Sequence, residues 1–467
     1  MSTRQQVMAQ STAPEIEALR QKLELLENTI IHQNEEILRQ EVEIEAMQRQ
    51  LEDLSANDDT QIPNSVPVVN ISADVEGQSD TPEVAEKPDN PKSPLPDGRF
   101  PDDAIVTTGD FPGSINIPGT NTSFRIGGFV RLQGIYDFDS LGRDTGVFNR
   151  TIPLDGSEED GTDQLKFFAQ NSRLNFDFRR NTKRFPIRTF IEGDFASGGN
   201  EFGSSFQFRL RHAVVQFSNF SIGQWWTSFA DIQALPEQSG VSPVGAPNIR
   251  QPGIQWANET DTGWKYGLAV ENPEGDLSGP DNSFASESFP DLISHVQFKR
   301  SWGHVRVAGI LRKLNSTDDE EFVVGGNLSS RIPLRFLGER DNIAFQVQAG
   351  QGITRYQPTL AGAGLDGIVD TDGTLDTISS VSGYLAYQHW WSDLFRSNLI
   401  VGFVDLDLPS SASSDTFENG LYTNINFFLT PIEDITFGID VIYADQMTFG
   451  GESGSGVRLE TSARYSF

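Results

Sequence analysis

The stretch FRIGGFVRLQGIYDFD, residues 124–139, decides the fold because its apolar side chains recur at every second position. A period of two is the pattern of a β-strand with one apolar face, and this run is longer than most soluble strands. A tilted strand that crosses a bilayer needs about 9–11 residues. The lipid-facing set is Phe124, Ile126, Gly128, Val130, Leu132, Gly134, Tyr136 and Phe138. The stretch therefore predicts a membrane-spanning strand.

The same alternation recurs down to the C-terminus in about sixteen segments, which predicts an all-β transmembrane antiparallel barrel. No stretch approaches the roughly 18 uninterrupted apolar residues of a membrane helix. Short turns alternate with long polar loops at residues 140–163, 232–248, 273–290, 354–376 and 409–419. Loops sorted by length to the two ends are typical of outer-membrane barrels and not of a soluble β-sandwich, the alternative fold.

The C-terminal residue Phe467 closes an alternating run in which Leu459 and Tyr465 share its face. We expect this last strand to pair with the first strand and to be recognised by the barrel-assembly machinery. Aromatic residues near other strand ends are expected to lie at the two membrane interfaces, in contact with outer-membrane lipid. They are Trp225, Trp226, Trp264, Trp390 and Trp391.

The first hundred residues have a different character. Residues 1–14 are predicted to be an unstructured N-terminus, and they lack the apolar core of a secretory signal. We therefore expect a processed chain or a start codon assigned too late. Residues 15–54 carry six heptads with Ile and Leu at the core positions, which predicts an α-helical coiled coil; a lone amphipathic helix packed on the barrel is the alternative. Residues 55–99 are rich in Pro, Ser and acidic residues, a composition that predicts a disordered linker. Residues 100–467 are predicted to form the barrel.

Composition excludes several classes of function. The 467 residues carry a formal net charge of −31, which argues against a nucleic-acid partner. The sequence contains no cysteine, which excludes disulfides and thiolate metal sites. We expect no cofactor, no metal and no catalytic residue. The five histidines lie in no catalytic motif, and the alternation places His212 on the lipid-facing side. An enzyme built on a barrel is therefore disfavoured.

The barrel portion resembles the DcaP-like family of trimeric outer-membrane porins. The resemblance rests on IGGFVRLQGIYDFD (126–139), NSRLNFDFR (171–179), FRLRHAVVQFSNFSIGQWWTSFAD (208–231), ALPE (234–237) and the terminal ARYSF. It covers most of residues 100–467, and the N-terminal coiled coil is similar to the family's plan. The resemblance implies a sixteen-stranded barrel, a homotrimer and a preference for small anionic solutes such as dicarboxylates.

A basic wall is the candidate solute path. The alternation turns seven arginines of the first four strands inward: Arg125, Arg131, Arg173, Arg179, Arg188, Arg209 and Arg211. All but Arg125 and Arg179 are expected near mid-height. A guanidinium can bind both oxygens of a carboxylate, which suits an anion pore. In the alternative, these arginines pair with inward Asp137, Asp177, Glu192 and Asp194 and only stiffen the wall. Arg306, Arg312 and His304 are expected to line another part of the lumen.

The loop 232–248 follows the fifth strand and is the candidate constriction loop. Prolines, Pro236 among them, stiffen it, and Glu237 is expected to face the arginine wall; an outward surface loop is the alternative. We predict an outer-membrane porin for passive diffusion of small hydrophilic solutes, with its coiled-coil arm in the periplasm. The alternative function is a structural protein that tethers the membrane to the cell wall through the coiled coil.

Overall fold

The computed structural model describes residues 108–200, 205–240, 242–280 and 284–467, and in them a closed antiparallel β-barrel of 16 strands. The predicted N-terminus, coiled coil and linker, residues 1–14, 15–54 and 55–99, lie outside the described residues. Within the described ranges, no helix has the length and apolar character needed to cross a bilayer. The prediction of about 16 barrel strands is confirmed.

The barrel strands are numbered in chain order, and the second is broken into two halves. They are β1 Thr122–Asp137, β2 Gln164–Phe168 and Arg173–Asn181, β3 Pro186–Asn200, β4 Ser205–Phe217, β5 Phe220–Trp226, β6 Arg250–Glu259, β7 Trp264–Glu271, β8 Asp291–Arg300, β9 Gly303–Asn315, β10 Glu320–Pro333, β11 Asn342–Gln351, β12 Ser379–Trp390, β13 Phe395–Asp407, β14 Phe417–Ile432, β15 Ile435–Thr448 and β16 Ser453–Ser466. Shorter strands are Ile115–Asn116, Leu277–Ser278, Gly367–Val369 and Leu375–Thr377, and short 3-10 helices are Asn149–Thr151, Ile232–Ala234 and Thr354–Tyr356.

The two ends of the chain close the barrel. Strand β16 pairs antiparallel with β1, from Asp137 opposite Arg458 to Phe129 opposite Ser466. Phe467 continues the ladder, since its N–H donates to the Gly128 carbonyl and its carbonyl accepts from the Gly128 N–H, both at 3.1 Å. Closure gives the strand edges backbone partners, which a barrel in lipid requires.

The two faces of β1 differ as the sequence predicts. Val130 and Leu132 are more than half exposed on the outside, whereas Gln133 and Asp137 are buried on the inside. The exposed apolar side chains of the other strands continue this belt around the barrel. Such an outer surface is suited to contact with lipid hydrocarbon, because burying it there requires no polar partner.

A β-bulge in β4 breaks the predicted alternation. Arg211 is an extra residue between the pairs that Leu210 and His212 form with β3. The side-chain amide of Gln224 donates to the carbonyls of Leu210 and Arg211, at 3.2 and 3.0 Å. Because the bulge shifts the following residues by one position, His212 and Val214 are buried. The prediction that His212 faces lipid is therefore wrong.

Long loops fill one half of the lumen. The connections at the long-loop end are numbered L1 to L8 in chain order, so that L1 is 138–163, L3 is 227–249, L4 is 272–290 and L6 is 352–378. Leu141 of L1, Val244 of L3 and Leu360 of L6 form one apolar cluster with Tyr384 and Ile400 of the wall. A second cluster joins L3 and L6 to β7, β8 and β9. The inward apolar side chains of the later strands are thus covered by loops.

Candidate pore wall and constriction loop

The seven predicted arginines lie together on β1 to β4, strands that contribute no residue to the two apolar loop clusters. Between 31 and 43% of the side chain is exposed in Arg173, Arg179, Arg188 and Arg209, whereas Arg211, which bonds both Glu192 and Asp194, is 6% exposed. At most 8% is exposed in three arginines of later strands, Arg312, Arg396 and Arg458. The contrast indicates that the solvent-filled part of the lumen runs along the first strands.

Asp177 holds two of these arginines at the short-turn end of the wall. Its carboxylate lies 2.9 Å from Arg179 Nη2 and 3.1 Å from Arg188 Nε. The strand register places Arg188 opposite Arg179, three residue pairs from the β2–β3 turn. The prediction of a mid-height Arg188 is therefore wrong, because β3 begins at Pro186, only two residues earlier.

Two further carboxylates organise the middle of the wall. Asp194 bonds both Arg209 and Arg211 at 2.8 Å. Glu192 lies 2.8 Å from Arg211 and 3.7 Å from Arg173. Together with the Asp177 pair, five guanidinium groups share three carboxylates, so the ion pairs orient the wall without neutralising it.

Three arginines converge on a single ring that faces the lumen. The guanidinium carbons of Arg131, Arg173 and Arg464 lie 4.8, 5.2 and 5.8 Å from the centre of the Phe129 ring. The register explains the cluster, because Arg131 lies opposite Arg464 on β16 and Phe129 opposite Arg173 on β2. Guanidinium groups are attracted to the face of an aromatic ring, so the ring helps to hold three like charges together.

This cluster of Arg131, Arg173, Arg464 and Phe129 retains unused donors. The Nε atoms of Arg173 and Arg464 are buried without a hydrogen-bond partner among the described residues. Within the same part of the chain, Arg131 and Arg464 form no ion pair with a carboxylate. These Nε atoms are inaccessible to solvent, so what the cluster offers a passing anion is the positive charge of Arg131 and Arg464, which no carboxylate in the described part of the chain pairs.

Arg250 extends the positive charge toward the long-loop end. It lies on β6 with its guanidinium carbon 5.1 Å from the centre of the Trp226 ring, and Arg173, Arg209 and Arg211 are close enough to repel it. A cavity of about 260 Å³ beside it is also lined by Arg355 of L6. The wall is therefore a continuous positive track rather than one isolated charge.

Loop L3 folds into the lumen and is bonded first to the later strands. Asp231 accepts from His304 at 2.7 Å and from Ser329 at 2.9 Å. Arg306 donates to the carbonyl of Phe229 at 3.2 Å. Further along, Arg331 bonds two L3 carbonyls. The first half of L3 is thus fixed against β9 and β10.

The second half of L3 reaches the arginine wall. The Ser239 carbonyl accepts from Arg131 Nη1 at 2.9 Å and from Gln133 at 3.1 Å. The Ser239 N–H donates to Asp440 of β15 at 3.2 Å. L3 therefore lies within the barrel and follows its inner wall from β9 to β1, which places its backbone beside the arginine cluster.

Glu237, one of the two predicted constriction residues, faces away from the predicted partner. Its carboxylate bonds Arg396 of β13 at 2.6 Å, and Pro236 is half-buried beside it. The expectation that Glu237 faces the arginine wall is therefore wrong. The reason is that L3 runs along the inner wall, so that Glu237 reaches β13 before Ser239 reaches β1.

Replacing Glu237 by alanine is expected to loosen the middle of L3. Arg396 is buried, and it loses its carboxylate in this variant. We expect a loss of about 1–2 kcal/mol of stability, less than the roughly 3–5 kcal/mol of a fully buried pair, because Glu237 is partly exposed. Thermal unfolding and open-channel current noise measure the two consequences. Glu339→Ala, an exposed residue of the β10–β11 turn, is the control; equal noise in both variants would contradict the tether.

Sequence reasoning missed several members of this site. Arg464 lies on the predicted lumen face of the last strand, but it joins the wall only because β16 closes on β1. Arg250 follows a loop and precedes Pro252, which disturbs the alternation, so the sequence does not indicate whether the Arg250 side chain points into the lumen. Phe129 is an aromatic residue on a strand face that is otherwise polar, and this departure from the pattern is the sequence feature that could have identified it as part of the site.

Comparisons with known proteins bear on the family and on the barrel fold. A family model described as DcaP outer membrane protein matches residues 109–467. The crystal structure of the outer membrane channel DcaP of Acinetobacter baumannii has a TM-score of 0.66 at 20% identity and covers 74% of this chain and 98% of its own. An anion-selective porin from Comamonas acidovorans has a TM-score of 0.51 at 11% identity and covers 74% and 100%. Among curated protein sequences, none matches the chain.

Proposed function

Because the chain belongs to the DcaP outer membrane protein family and folds as a porin barrel, we propose that it lets small hydrophilic anions diffuse passively across the outer membrane. The observation that carries this proposal is the cluster of Arg131, Arg173 and Arg464 around Phe129, next to L3. Positive charge at a constriction favours anions there, whatever the net charge elsewhere in the protein.

The solutes that suit this wall best are dicarboxylates. Arg131, Arg173 and Arg464 supply planar donor groups for one carboxylate, and Arg209, Arg211 and Arg250 continue the track for a second. A solute with two carboxylates can therefore exchange one partner at a time while it moves. Conduction requires such multi-site binding, since a single tight site would trap the solute.

The assembly we propose is a homotrimer with its N-terminal arm in the periplasm. The support is the family membership, together with the predicted heptads of residues 15–54. Contact with outer-membrane lipid follows from the exposed apolar belt, and recognition by the barrel-assembly machinery from the terminal strand with Phe467.

The test is single-channel recording of the refolded chain in a planar bilayer under a potassium chloride gradient. We expect a reversal potential of anion-selective sign and openings in groups of three. Swelling of liposomes that carry the protein should be faster in succinate than in the uncharged diol of the same length. Cation preference would contradict the arginine wall, and a folded barrel without conductance would favour the tethering function.

Removing residues 1–99 is expected to leave a conducting barrel with unchanged ion preference. The family match starts at residue 109 and the described barrel contains the whole arginine wall. The measurement is the same bilayer recording, with the full chain as control. Loss of all conductance in a folded truncated barrel would show that the arm is needed for the pore and would contradict this separation of roles.

A further inference from the structure

The chain that leads into β1 lies at the short-turn end of the barrel. Its short strand Ile115–Asn116 pairs antiparallel with the start of β1, with Ile115 opposite Phe124. Strand β16 has already ended at this height, since Phe467 bonds the backbone of Gly128, and β2 occupies the other edge of β1. The short strand therefore continues the edge of β1 that β16 leaves free.

Residues 108–114 form a sill that crosses from that edge of β1 to β2. The Asp110 N–H donates to Ser123 Oγ at 2.9 Å, and Ser123 is buried on the inner face of β1. The Asp110 carboxylate accepts from Asn181 Nδ2 at 3.1 Å, at the end of β2. Because the sill joins the short strand at one edge of β1 and contacts β2 at the other, it crosses the inner face at the mouth of the barrel.

Phe111 anchors the sill to two of the wall arginines. The guanidinium carbons of Arg179 and Arg125 lie 4.1 and 5.8 Å from the centre of its ring. Phe111 is only 8% exposed, so the ring lies between the sill and the wall. Arg125 Nη1 also donates to the Pro112 carbonyl at 3.5 Å. The attraction between a guanidinium and an aromatic face therefore helps to hold the sill on the inner wall.

The sequence FPGS, residues 111–114, builds the turn of the sill. The Ser114 N–H donates to the Phe111 carbonyl at 3.1 Å, which closes a β-turn. Proline at the second position and Gly113 at the third, with a φ of 73°, are the pattern of a type II turn. Ser114 Oγ accepts the Phe111 N–H at 3.2 Å. Pro112 and Gly113 are exposed, so the turn presents a solvent-facing edge at the mouth.

The sill lies at one end of the open path along the arginine wall. Arg125 and Arg179 are among the wall arginines nearest the short-turn end, and the sill packs on both. An anion that follows the wall from the Phe129 cluster toward this end meets the sill before it leaves the barrel. The sill itself carries one charged side chain, that of Asp110. Its position and its charge are therefore those of an element that acts on passing solutes.

We propose that the sill is a second constriction of the pore, which limits the size of the solutes that pass between the arginine wall and the short-turn mouth. The proposal rests on the proposed function, because a constriction acts only in a conducting chain. In the competing arrangement, the sill braces β1 and solutes pass clear of it. The two arrangements differ in how strongly a charge placed on the sill acts on permeating ions.

The experiment uses a single thiol on the sill, which the absence of cysteine from the sequence allows. Pro112→Cys in the full chain is labelled with a methanethiosulfonate that carries a sulfonate, and the reversal potential is recorded in a potassium chloride gradient. One negative charge about 6 Å from the permeating ions is expected to lower the anion-to-cation permeability ratio about threefold after screening. The trimethylammonium reagent is expected to raise the ratio by a similar factor.

Ser301→Cys is the matched control, an exposed site on the β8–β9 turn at the same end of the barrel. Neither reagent is expected to change its reversal potential, since charges beyond about 10 Å are screened at 0.1 M salt. Equal shifts in the two labelled variants, or no shift in Pro112→Cys, would overturn the sill alone. A folded chain that does not conduct would overturn the proposed function and the sill with it.

Releasing the anchors tests the size limit. The double variant F111A/S123A removes the ring on the wall arginines and the acceptor of the Asp110 N–H. Liposome swelling in a trisaccharide, relative to that in a monosaccharide, is expected to be faster than in the wild type. Phe437→Ala removes an outward aromatic residue of β15 and should keep the wild-type ratio. An unchanged ratio in F111A/S123A would contradict the size limit, and because sugars are uncharged this result is independent of ion selectivity.

Discussion

Replacing Arg131 and Arg464 together by glutamine is expected to lower the anion-to-cation permeability ratio about tenfold. The two guanidiniums face each other across the β16–β1 closure, beside the Ser239 carbonyl of L3. One unit charge about 6 Å from a permeating ion contributes roughly 0.7 kcal/mol in water. Two such charges favour an anion by about 1.4 kcal/mol and disfavour a cation by the same amount. Screening at 0.1 M salt roughly halves this difference of about 2.8 kcal/mol, which leaves about tenfold in the ratio. The reversal potential in a low-salt gradient measures the ratio.

The control for this variant is R180Q/R335Q, which removes the same charge from exposed sites on a strand end and a turn. We expect its reversal potential to match that of the wild type, since screening suppresses charges beyond about 10 Å at 0.1 M salt. An unchanged reversal potential in folded R131Q/R464Q would show that permeating ions do not pass the Phe129 cluster. Selectivity would then have to be sought nearer Arg209 and Arg250.

Local alternation was enough to predict that Arg131 and Arg173 point into the lumen, because a strand with one lipid face has a fixed side-chain direction at each position. It failed at His212, where a single bulged residue reverses every following side chain. It also gave no register between strands. The meeting of Arg131 with Arg464, more than 300 residues apart along the chain, depends on barrel closure, which a pattern within one strand does not contain.

The inward packing of L1 and L6 was not predicted, although β13 carries a sign of it. Leu399 to Val404 is an apolar run on both faces, and a strand with an open polar lumen would alternate instead. Ile400 is fully buried and packs in the cluster with L1, L3 and L6, while Leu399 is exposed outside. Recognising which loop covers Ile400 requires the three-dimensional packing of Val244 and Leu360.

The loops therefore confine the open part of the lumen to one side of the barrel. Apolar packing of the loops against β12 to β15 excludes solvent from that half of the lumen. The open path for solutes therefore runs along the arginine wall. Under the proposed function, selectivity depends on the Phe129 cluster, whereas stability depends on the buried anchors of L3 and L6. A variant of an anchor should change pore size before it changes ion preference.

Arg312→Met is expected to destabilise the barrel by about 3–5 kcal/mol, the cost of leaving buried carboxylates without their partner. Arg312 is 1% exposed and bonds Asp291 of the wall at 3.1 Å, Asp366 of L6 at 2.8 Å and the Glu274 carbonyl of L4 at 2.6 Å. Its loss should release L6, lower the thermal midpoint and raise single-channel conductance.

Arg335→Met, on an exposed turn, is the control. The triple variant R312M/D291N/D366N should recover much of the stability, because the unpaired charges are gone. A triple variant no more stable than Arg312→Met would show that the hydrogen bonds of the guanidinium to the loop carbonyls, rather than its charge, hold L6 in the lumen.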